Sequence, residues 1–116
     1  MAHWFLGTPL PEALSTEGPA VVAYLRADAS TREKADRAFA FIYAVGEHSL
    51  TYHFQEPLEQ LGVSVVLRRT VGVALGVALK GLRGPMRRVL QGMSEEQMLG
   101  VADELEFRLY PNPHSP

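Results

Sequence analysis

Apolar residues recur at helical spacing through the middle of the chain. They follow one another at steps of three and four residues, which places them on one face of a long helix. The members of this face are Phe39, Ile42, Tyr43, Gly46, Leu50, His53 and Phe54. Ser30-Thr31-Arg32-Glu33 before them has the residues of a capping box, and Pro57 lacks the amide hydrogen that a continuing helix needs. We therefore expect a helix from about Thr31 that ends or bends near Pro57.

Two shorter helices are predicted on either side of this segment. Upstream, Ser15-Thr16-Glu17-Gly18 precedes Pro19, and proline is common in the first turn of a helix. This helix would direct Val21, Val22, Tyr24 and Leu25 inward and stop near Asp28. Downstream, Ser94-Glu95-Glu96-Gln97 has the pattern of a second capping box. The helix that follows it would bury Met98, Val101, Ala102 and Leu105.

Residues 63–82 combine the patterns of a helix and of a strand. Their apolar side chains fit one helical face, yet every odd position from Val63 to Leu79 except Arg69 is also apolar. A strand of that length would far exceed the usual size, and no Asn-Gly or Asp-Gly turn divides the segment. We therefore favour a helix, ended by Gly84-Pro85 and followed by a short helix through Met86-Leu90.

These elements predict a mostly α-helical fold, a compact bundle of about four to five helices that forms a single domain over residues 1–110. The alternative is an α+β domain with strands at residues 63–79 and 104–110, because Leu105, Phe107 and Leu109 alternate with charged residues. We expect Trp4 and Phe5 to dock an N-terminal arm on the core, or else to anchor a partner. Residues 111–116 are expected to form a disordered tail.

The composition argues against several classes of protein. Of the 116 residues, 47% are apolar and none is cysteine, so the chain can bury a core but has no thiol for a disulfide, a metal or catalysis. The longest apolar run, Val71–Leu79, falls far short of the roughly 20 residues of a membrane-crossing helix. Met1–Leu10 lacks the basic start of a secretory signal. Arg, Ala, Gly and Val are abundant, as is typical of proteins from high-GC bacterial genomes. With neither a signal nor a membrane-crossing helix expected, we predict a soluble protein of the bacterial cytoplasm.

Charge divides the chain into three blocks. Residues 1–62 and residues 94–116 each carry a net charge of −4, whereas residues 63–93 carry +6 and contain no acid. The six cations are Arg68, Arg69, Lys80, Arg83, Arg87 and Arg88. They either pair with acids of neighbouring helices or bind a protein that has an acidic surface. Nucleic acid is a less favoured partner, because the chain has a net charge of −2 and residues 63–93 contain no Phe, Tyr or Trp.

Gly72 and Gly76 lie four residues apart within the basic block. In a helix, glycine costs about 1 kcal/mol relative to alanine, so two on one face require a compensating contact. They would clear a groove where another backbone approaches closely. Within one chain this groove would receive the helix of residues 31–56, and between two chains it would form a dimer seam. The candidate partner-binding residues are therefore Arg68, Arg69, Gly72, Gly76, Arg83, Arg87 and Arg88.

Side chains with catalytic or ligand-binding chemistry concentrate in residues 47–56. His48 and His53 are about 140° apart around a helix, so they do not share the face that a metal requires. His53 lies on the apolar face, where with Tyr43 and Phe54 it is a candidate ligand-binding residue for haem or another apolar molecule. No nucleophile elbow or phosphate-binding glycine loop occurs. The sequence therefore predicts no enzymatic activity, no metal site and no cofactor.

The hypothesis that these patterns favour is a small helical protein–protein interaction module, such as an adaptor, an immunity or inhibitor protein, or a regulatory subunit. It would bind another protein that has an acidic surface and would also associate with itself as a homodimer or larger homo-oligomer. Two alternatives stay open. One is a nucleic-acid-associated regulator that uses the basic residues 68–88, and the other is a bundle that binds haem or a small apolar ligand around His53.

Overall fold

The computed structural model describes residues 7–111, and the regular secondary structure in this range is entirely helical. Its elements are α1 (Glu12–Arg26), α2 (Thr31–Leu50), a π-helical turn (Thr51–Gln55), α3 (Glu56–Gln60), α4 (Val65–Gln91) and α5 (Glu95–Arg108). The predicted helical bundle is confirmed. The alternative strands at residues 63–79 and 104–110 are wrong, because α4 and α5 run through these segments. Trp4, Phe5 and residues 112–116 of the predicted tail lie outside the described residues.

The hydrophobic core lies where α1, α2 and α5 meet. Val21 and Leu25 of α1 are completely buried, and so are Met98 and Ala102 of α5. α2 presents Ala38 to the same cluster, and this short side chain lets the three helices approach closely. The predicted inward faces of α1 and α5 are confirmed by this packing.

Serine caps fix where α2 and α5 begin. At α5 the predicted capping box is complete, since the Gln97 N–H donates to Ser94 Oγ at 3.2 Å and the Ser94 N–H donates to Gln97 Oε1 at 2.9 Å. At α2, Ser30 Oγ accepts from the Glu33 N–H at 3.2 Å, while the Glu33 carboxylate accepts from the hydroxyl of the half-buried Tyr24 at 3.3 Å. Each serine thus satisfies an N–H that has no acceptor within its own helix.

Two Gly-Pro pairs that predict helix boundaries lie inside helices instead. Pro19 is within α1, which begins at Glu12, and Pro85 is within α4. A residue before proline is driven out of the helical conformation in part by its own Cβ, which Gly18 and Gly84 lack. The predicted helix start at Pro19 and the predicted break at Gly84-Pro85 are therefore wrong, and residues 86–90 belong to α4.

The predicted end or bend at Pro57 takes the form of a π-helical turn. The Glu56 N–H donates to the Thr51 carbonyl five residues back, which widens the helix just before the proline. The widening relieves the clash that a proline ring makes with the carbonyl four residues earlier in a regular helix. The chain continues through α3 and reverses at Gly62, whose φ of +71° favours glycine. After this reversal α4 runs back along α2.

Among residues 7–111, one side of α4 has no neighbouring helix. Its 27 residues span about 40 Å, and it packs chiefly against α2 and the π-helical turn. The Cα radius of gyration is 16.3 Å, above the roughly 13 Å expected for a compact chain of this length. Within residues 7–111, no helix is long and apolar enough to cross a membrane. The core formed by α1, α2 and α5 therefore leaves much of α4 uncovered.

Candidate interaction surface

α4 has an inner face toward α2 and an outer face on the opposite side. The inner positions are buried or half-buried and recur at helical spacing: Arg68, Gly72, Leu75, Leu79, Met86 and Leu90. The outer face consists of Val66, Thr70, Val73 and Val77, continued by Gly81, Gly84 and Arg88, and all of these residues are exposed. Among the side chains of α4, Leu79 and Leu90 are the buried ones. Most of this long helix therefore adds little to the core.

Large apolar side chains of α4 are exposed to solvent. They are Val65, Val66, Leu67, Val73, Val77, Leu82 and Val89. Val66 is 77% exposed and Val77 is 66% exposed, values typical of polar surface residues. Together the seven expose on the order of 700 Å², distributed around the helix: Val66, Val73 and Val77 lie on the outer face, whereas Val65, Leu82 and Val89 lie closer to the inner face. A surface of this size needs a physical explanation that single exposed apolar residues do not.

Arg83 and Arg87 lie against α2. The Arg87 guanidinium is 3.4 Å from Asp36 Oδ1 and 5.6 Å from the centroid of the Phe39 ring. The Arg83 guanidinium lies 5.5 Å from the centroid of the Tyr43 ring. These contacts are an ion pair and two cation–π contacts within one molecule. Two of the predicted partner-binding arginines therefore help to hold α4 on α2.

Arg69, Lys80 and Arg88 have no acidic partner among residues 7–111. All three are exposed, and α4 itself contains no acid that could pair with them. Arg83, Arg87 and Arg88 do not converge, because Arg88 lies on the outer face while the other two turn toward α2. Arg83 also has no acidic partner in this range, but its guanidinium lies against the Tyr43 ring. The positive charge that remains available to a partner therefore comes mainly from Arg69, Lys80 and Arg88.

Several charges on the other helices form ion pairs within the molecule. Arg26 of α1 donates to Asp103 Oδ1 at 2.7 Å and to Glu106 Oε2 at 2.6 Å on α5. These hydrogen bonds lower the pKa of Glu106 and raise the pKa of Arg26. On α2, the Arg37 guanidinium is 3.2 Å from Glu17 Oε1. The unmatched cations of α4 contrast with this pattern.

Tyr24 shows how α1 and α2 share their polar contacts. Partial burial, with a smaller effect of the neighbouring Glu33 carboxylate, raises the pKa of the Tyr24 hydroxyl. The Arg37 guanidinium lies 4.8 Å from the centroid of the Tyr24 ring. The hydroxyl is therefore a donor to the Glu33 carboxylate at neutral pH.

A shallow cleft of about 510 Å³ opens beside the first turns of α4. Its lining residues are Gln55, Val65, Arg68, Arg69, Gly72 and Val73. Arg68 Nε is buried and has no hydrogen-bond acceptor, and the guanidinium has only a loose ion pair, 3.9 Å from Glu59 Oε1. An adjoining groove of about 360 Å³ shares Arg69 and Val73 and is completed by Val66 and Thr70. Cationic and apolar groups thus meet at one place on the surface.

Gly72 and Gly76 have different surroundings. A Cβ on Gly72 would lie 2.7 Å from Gln55 Nε2, so this glycine makes room for the amide that approaches from the π-helical turn. A Cβ on Gly76 would meet no atom within 4 Å. The predicted close approach of another backbone is therefore found at neither glycine: Gly72 makes room for a side-chain amide, and Gly76 is open.

The histidines of residues 47–56 bind the segment that precedes α1. His53 Nε2 is 2.7 Å from Thr8 Oγ1, and His48 Nε2 donates to the Pro9 carbonyl at 2.7 Å. Among residues 7–111, no three His, Cys, Asp or Glu side chains are placed to hold a metal ion. His48 and His53 thus have a structural use, which is to tie the N-terminal segment to α2 and the π-helical turn.

Tyr43, His53 and Phe54, the candidate residues for an apolar ligand, line neither of the two clefts beside α4. Tyr43 packs against Phe39 with 5.5 Å between ring centroids, and Phe54 is 53% exposed. The π-helical turn shifts residues after Leu50 around the axis, so the regular spacing that groups the three in the sequence is interrupted.

Sequence reasoning missed the exposed apolar side chains of α4 and the amide of Gln55. The signal for the first is present in the sequence, since apolar residues occur on every side of a helix that is too long to be wholly buried in a small domain. Gln55 carries no such signal, because its position depends on the π-helical turn. No protein-family model, curated protein or solved structure matches this chain. Arguments about function therefore rest on its own geometry.

Proposed function

We propose that this chain is a small, non-catalytic interaction module of the bacterial cytoplasm, in which the outer face of α4 binds another protein. An adaptor, an inhibitor or a regulatory subunit would act in this way. The observation that carries the proposal is the row of exposed apolar side chains on α4, among them Val66, Val73 and Val77. Their burial against a partner would remove the unfavourable contact of apolar surface with water.

The size of this surface supports a specific partner. A standard protein–protein interface buries about 800 Å² on each side. The apolar side chains of the outer face, Val66, Val73 and Val77, supply on the order of 300 Å² of this area, and the glycine backbone and polar residues beside them would supply the rest. The outer face is also nearly free of long side chains from Thr70 to Gly84, which lets a second helix approach closely.

The charges beside the outer face favour an acidic partner. Arg69, Lys80 and Arg88 are exposed and unpaired among the described residues, and α4 contains no acid. Opposite charge on a partner steers the encounter and suppresses wrong pairings. A second copy that docked α4 against α4 would bring these cations together, so a different protein suits the surface better than a homodimer through α4.

A photo-crosslinking experiment tests the proposal. The crosslinking amino acid p-benzoylphenylalanine is placed at Val73, or at Phe107 as a control, because Phe107 is 78% exposed on α5. In the host cytoplasm we expect the position-73 probe to join the chain to another protein. Adding Val77→Asp should abolish this adduct, whereas adding Leu99→Asp on α5 should leave it unchanged.

Three outcomes would contradict the proposal. The first is that position 73 gives no adduct. The second is that positions 73 and 107 give the same adducts, which would indicate random encounters. The third is an adduct with a second copy of the chain together with a dimer mass by light scattering, which would replace the foreign partner with a homodimer.

A further inference from the structure

The cleft beside the first turns of α4 is lined by hydrogen-bond donors that have no carboxylate among them. Arg68 and Arg69 bring two guanidinium groups, and Gln55 adds an amide that donates two hydrogens. None of the six lining residues is acidic. Buried donors without partners are rare in proteins, so the unpaired Arg68 Nε indicates that the local hydrogen bonding is incomplete.

Existing contacts leave both guanidinium groups available. Glu59 Oε1 is 3.9 Å from Arg68 Nη1, and the Glu59 side chain is 73% exposed. Glu59 is therefore a weak and easily displaced partner. Arg69 is exposed and has no acidic partner within residues 7–111. Gly72 has no side chain, so the Gln55 amide can lie against α4 in the cleft that Arg68 and Arg69 also line.

The geometry points to a carboxylate-binding site formed by Arg68, Arg69 and Gln55. Guanidinium groups bind carboxylates through paired, charge-assisted hydrogen bonds, which are stronger than neutral ones. The inference rests on the proposed function, since the carboxylate is that of an Asp or Glu side chain on the protein that docks on α4. An apolar side chain of the same partner fits the adjoining groove of Val66, Thr70 and Val73.

Phosphate has related chemistry, but the surroundings favour a carboxylate. Val65 and Val73 border the cleft, and residues 63–93 contain no aromatic side chain on which a nucleobase could stack. The whole chain has a net charge of −2, so it has no general attraction for a polyanion. A single acidic side chain beside an apolar one matches these surroundings.

The probe for the test is an acetylated and amidated hexaglutamate peptide, titrated into the full chain at 0.15 M salt. At this ionic strength unspecific surface attraction is screened beyond about 8 Å. We expect saturable NMR shifts of the Nε–H signals of Arg68 and Arg69 and of the Gly72 amide. Arg69→Gln should weaken the affinity by about 10-fold or more, because a charge-assisted contact is lost. The control Arg32→Gln removes the same charge from the exposed start of α2, outside the proposed surface, and should change the affinity less than about 2-fold.

Several results would overturn the site. One is that hexaglutamate does not shift these signals. Another is that Arg32→Gln weakens binding as much as Arg69→Gln, which would indicate general charge attraction. Tighter binding of inorganic phosphate than of hexaglutamate would also overturn the assignment to a carboxylate. Because the peptide test needs no natural partner, its failure is separate from a failure of the crosslinking test at Val73.

Discussion

Replacing Gly76 with alanine is expected to stabilise the protein. Gly76 lies inside α4, and a Cβ there would meet no atom within 4 Å. In an exposed helix interior, alanine is favoured over glycine by about 0.8–1 kcal/mol, because glycine loses more backbone freedom on folding. With an unfolding entropy of about 2.1 cal/mol/K per residue, this gain corresponds to a melting temperature higher by roughly 4 °C.

Gly18 provides the matched comparison, because it also lies inside a helix but in a crowded place. A Cβ at Gly18 would lie 2.9 Å from Leu109 Cδ1 and 3.3 Å from Phe41 Cζ. Any gain in helix propensity is therefore offset by displacement of packed side chains and by the clash of a Cβ with the ring of Pro19. The larger substitution Gly18→Val should destabilise the protein by about 1–3 kcal/mol, the usual cost of an overpacked core.

Urea denaturation followed by circular dichroism measures both effects, at two protein concentrations. The Gly76→Ala midpoint should rise at each concentration, and the Gly18→Val midpoint should fall. If Gly76→Ala instead lost stability to the same degree as Gly18→Val, the surface near Gly76 would be covered and the account of α4 would be refuted. Midpoints that rise with protein concentration in the parent chain would identify the cover as a second copy.

Further predictions concern the cap of α5 and the α1–α5 ion pairs. Ser94→Ala should lower the free energy of unfolding by about 1 kcal/mol in the same urea assay, because the Gln97 N–H loses its acceptor. The pKa of Glu106 is lowered in the fold, so the stability that it contributes is complete above its ordinary value of 4.5 and is lost as the pH falls further. Arg26→Gln should therefore reduce the loss of stability between pH 6 and pH 3.5. The control is Arg32→Gln, which should not reduce this loss, because Arg32 is exposed and has no ion pair among the described residues.

The helices that the sequence predicts well are specified by local chemistry. A serine with a glutamine three residues later is sufficient to form the cap of α5, since both partners lie in the same turn. The apolar face of α2 repeats at the helical period, and burial follows from that period at Phe39. Such signals need no knowledge of which other helix lies nearby.

The two Gly-Pro pairs predict helix boundaries wrongly because glycine lacks a Cβ atom. Proline is read as a helix boundary on the assumption that the preceding residue carries a Cβ. Gly18 and Gly84 remove that obstacle, and both helices continue through the proline. Gly18 is also required for packing, since Leu109 occupies the space beside it, a tertiary contact that no local pattern reports.

The positions of the arginines on α4 depend on how this helix is placed against α2. Arg83 and Arg87 fall beside Tyr43 and Phe39 because α4 runs back along α2 after the turn at Gly62. Spacing alone groups Arg83, Arg87 and Arg88, whereas the packing turns two of them inward and leaves Arg88 outside. Charge segregation therefore indicates which segment carries positive charge but not which side chains remain available.

The strand-like alternation of residues 63–79 has its origin in the same uncovered surface. A helix with one apolar face shows a period of 3.6, but α4 carries apolar residues on its inner face, at Leu75 and Leu79, and on its outer face, at Val73 and Val77. Because the residues of the two apolar faces alternate along the sequence, apolar residues occur at successive odd positions. Valine at an exposed helical position is less favourable than alanine, and it also leaves apolar area in water. Both disadvantages disappear when a partner helix covers the outer face, so the pattern that obscures the secondary structure of α4 is itself an argument for an interface.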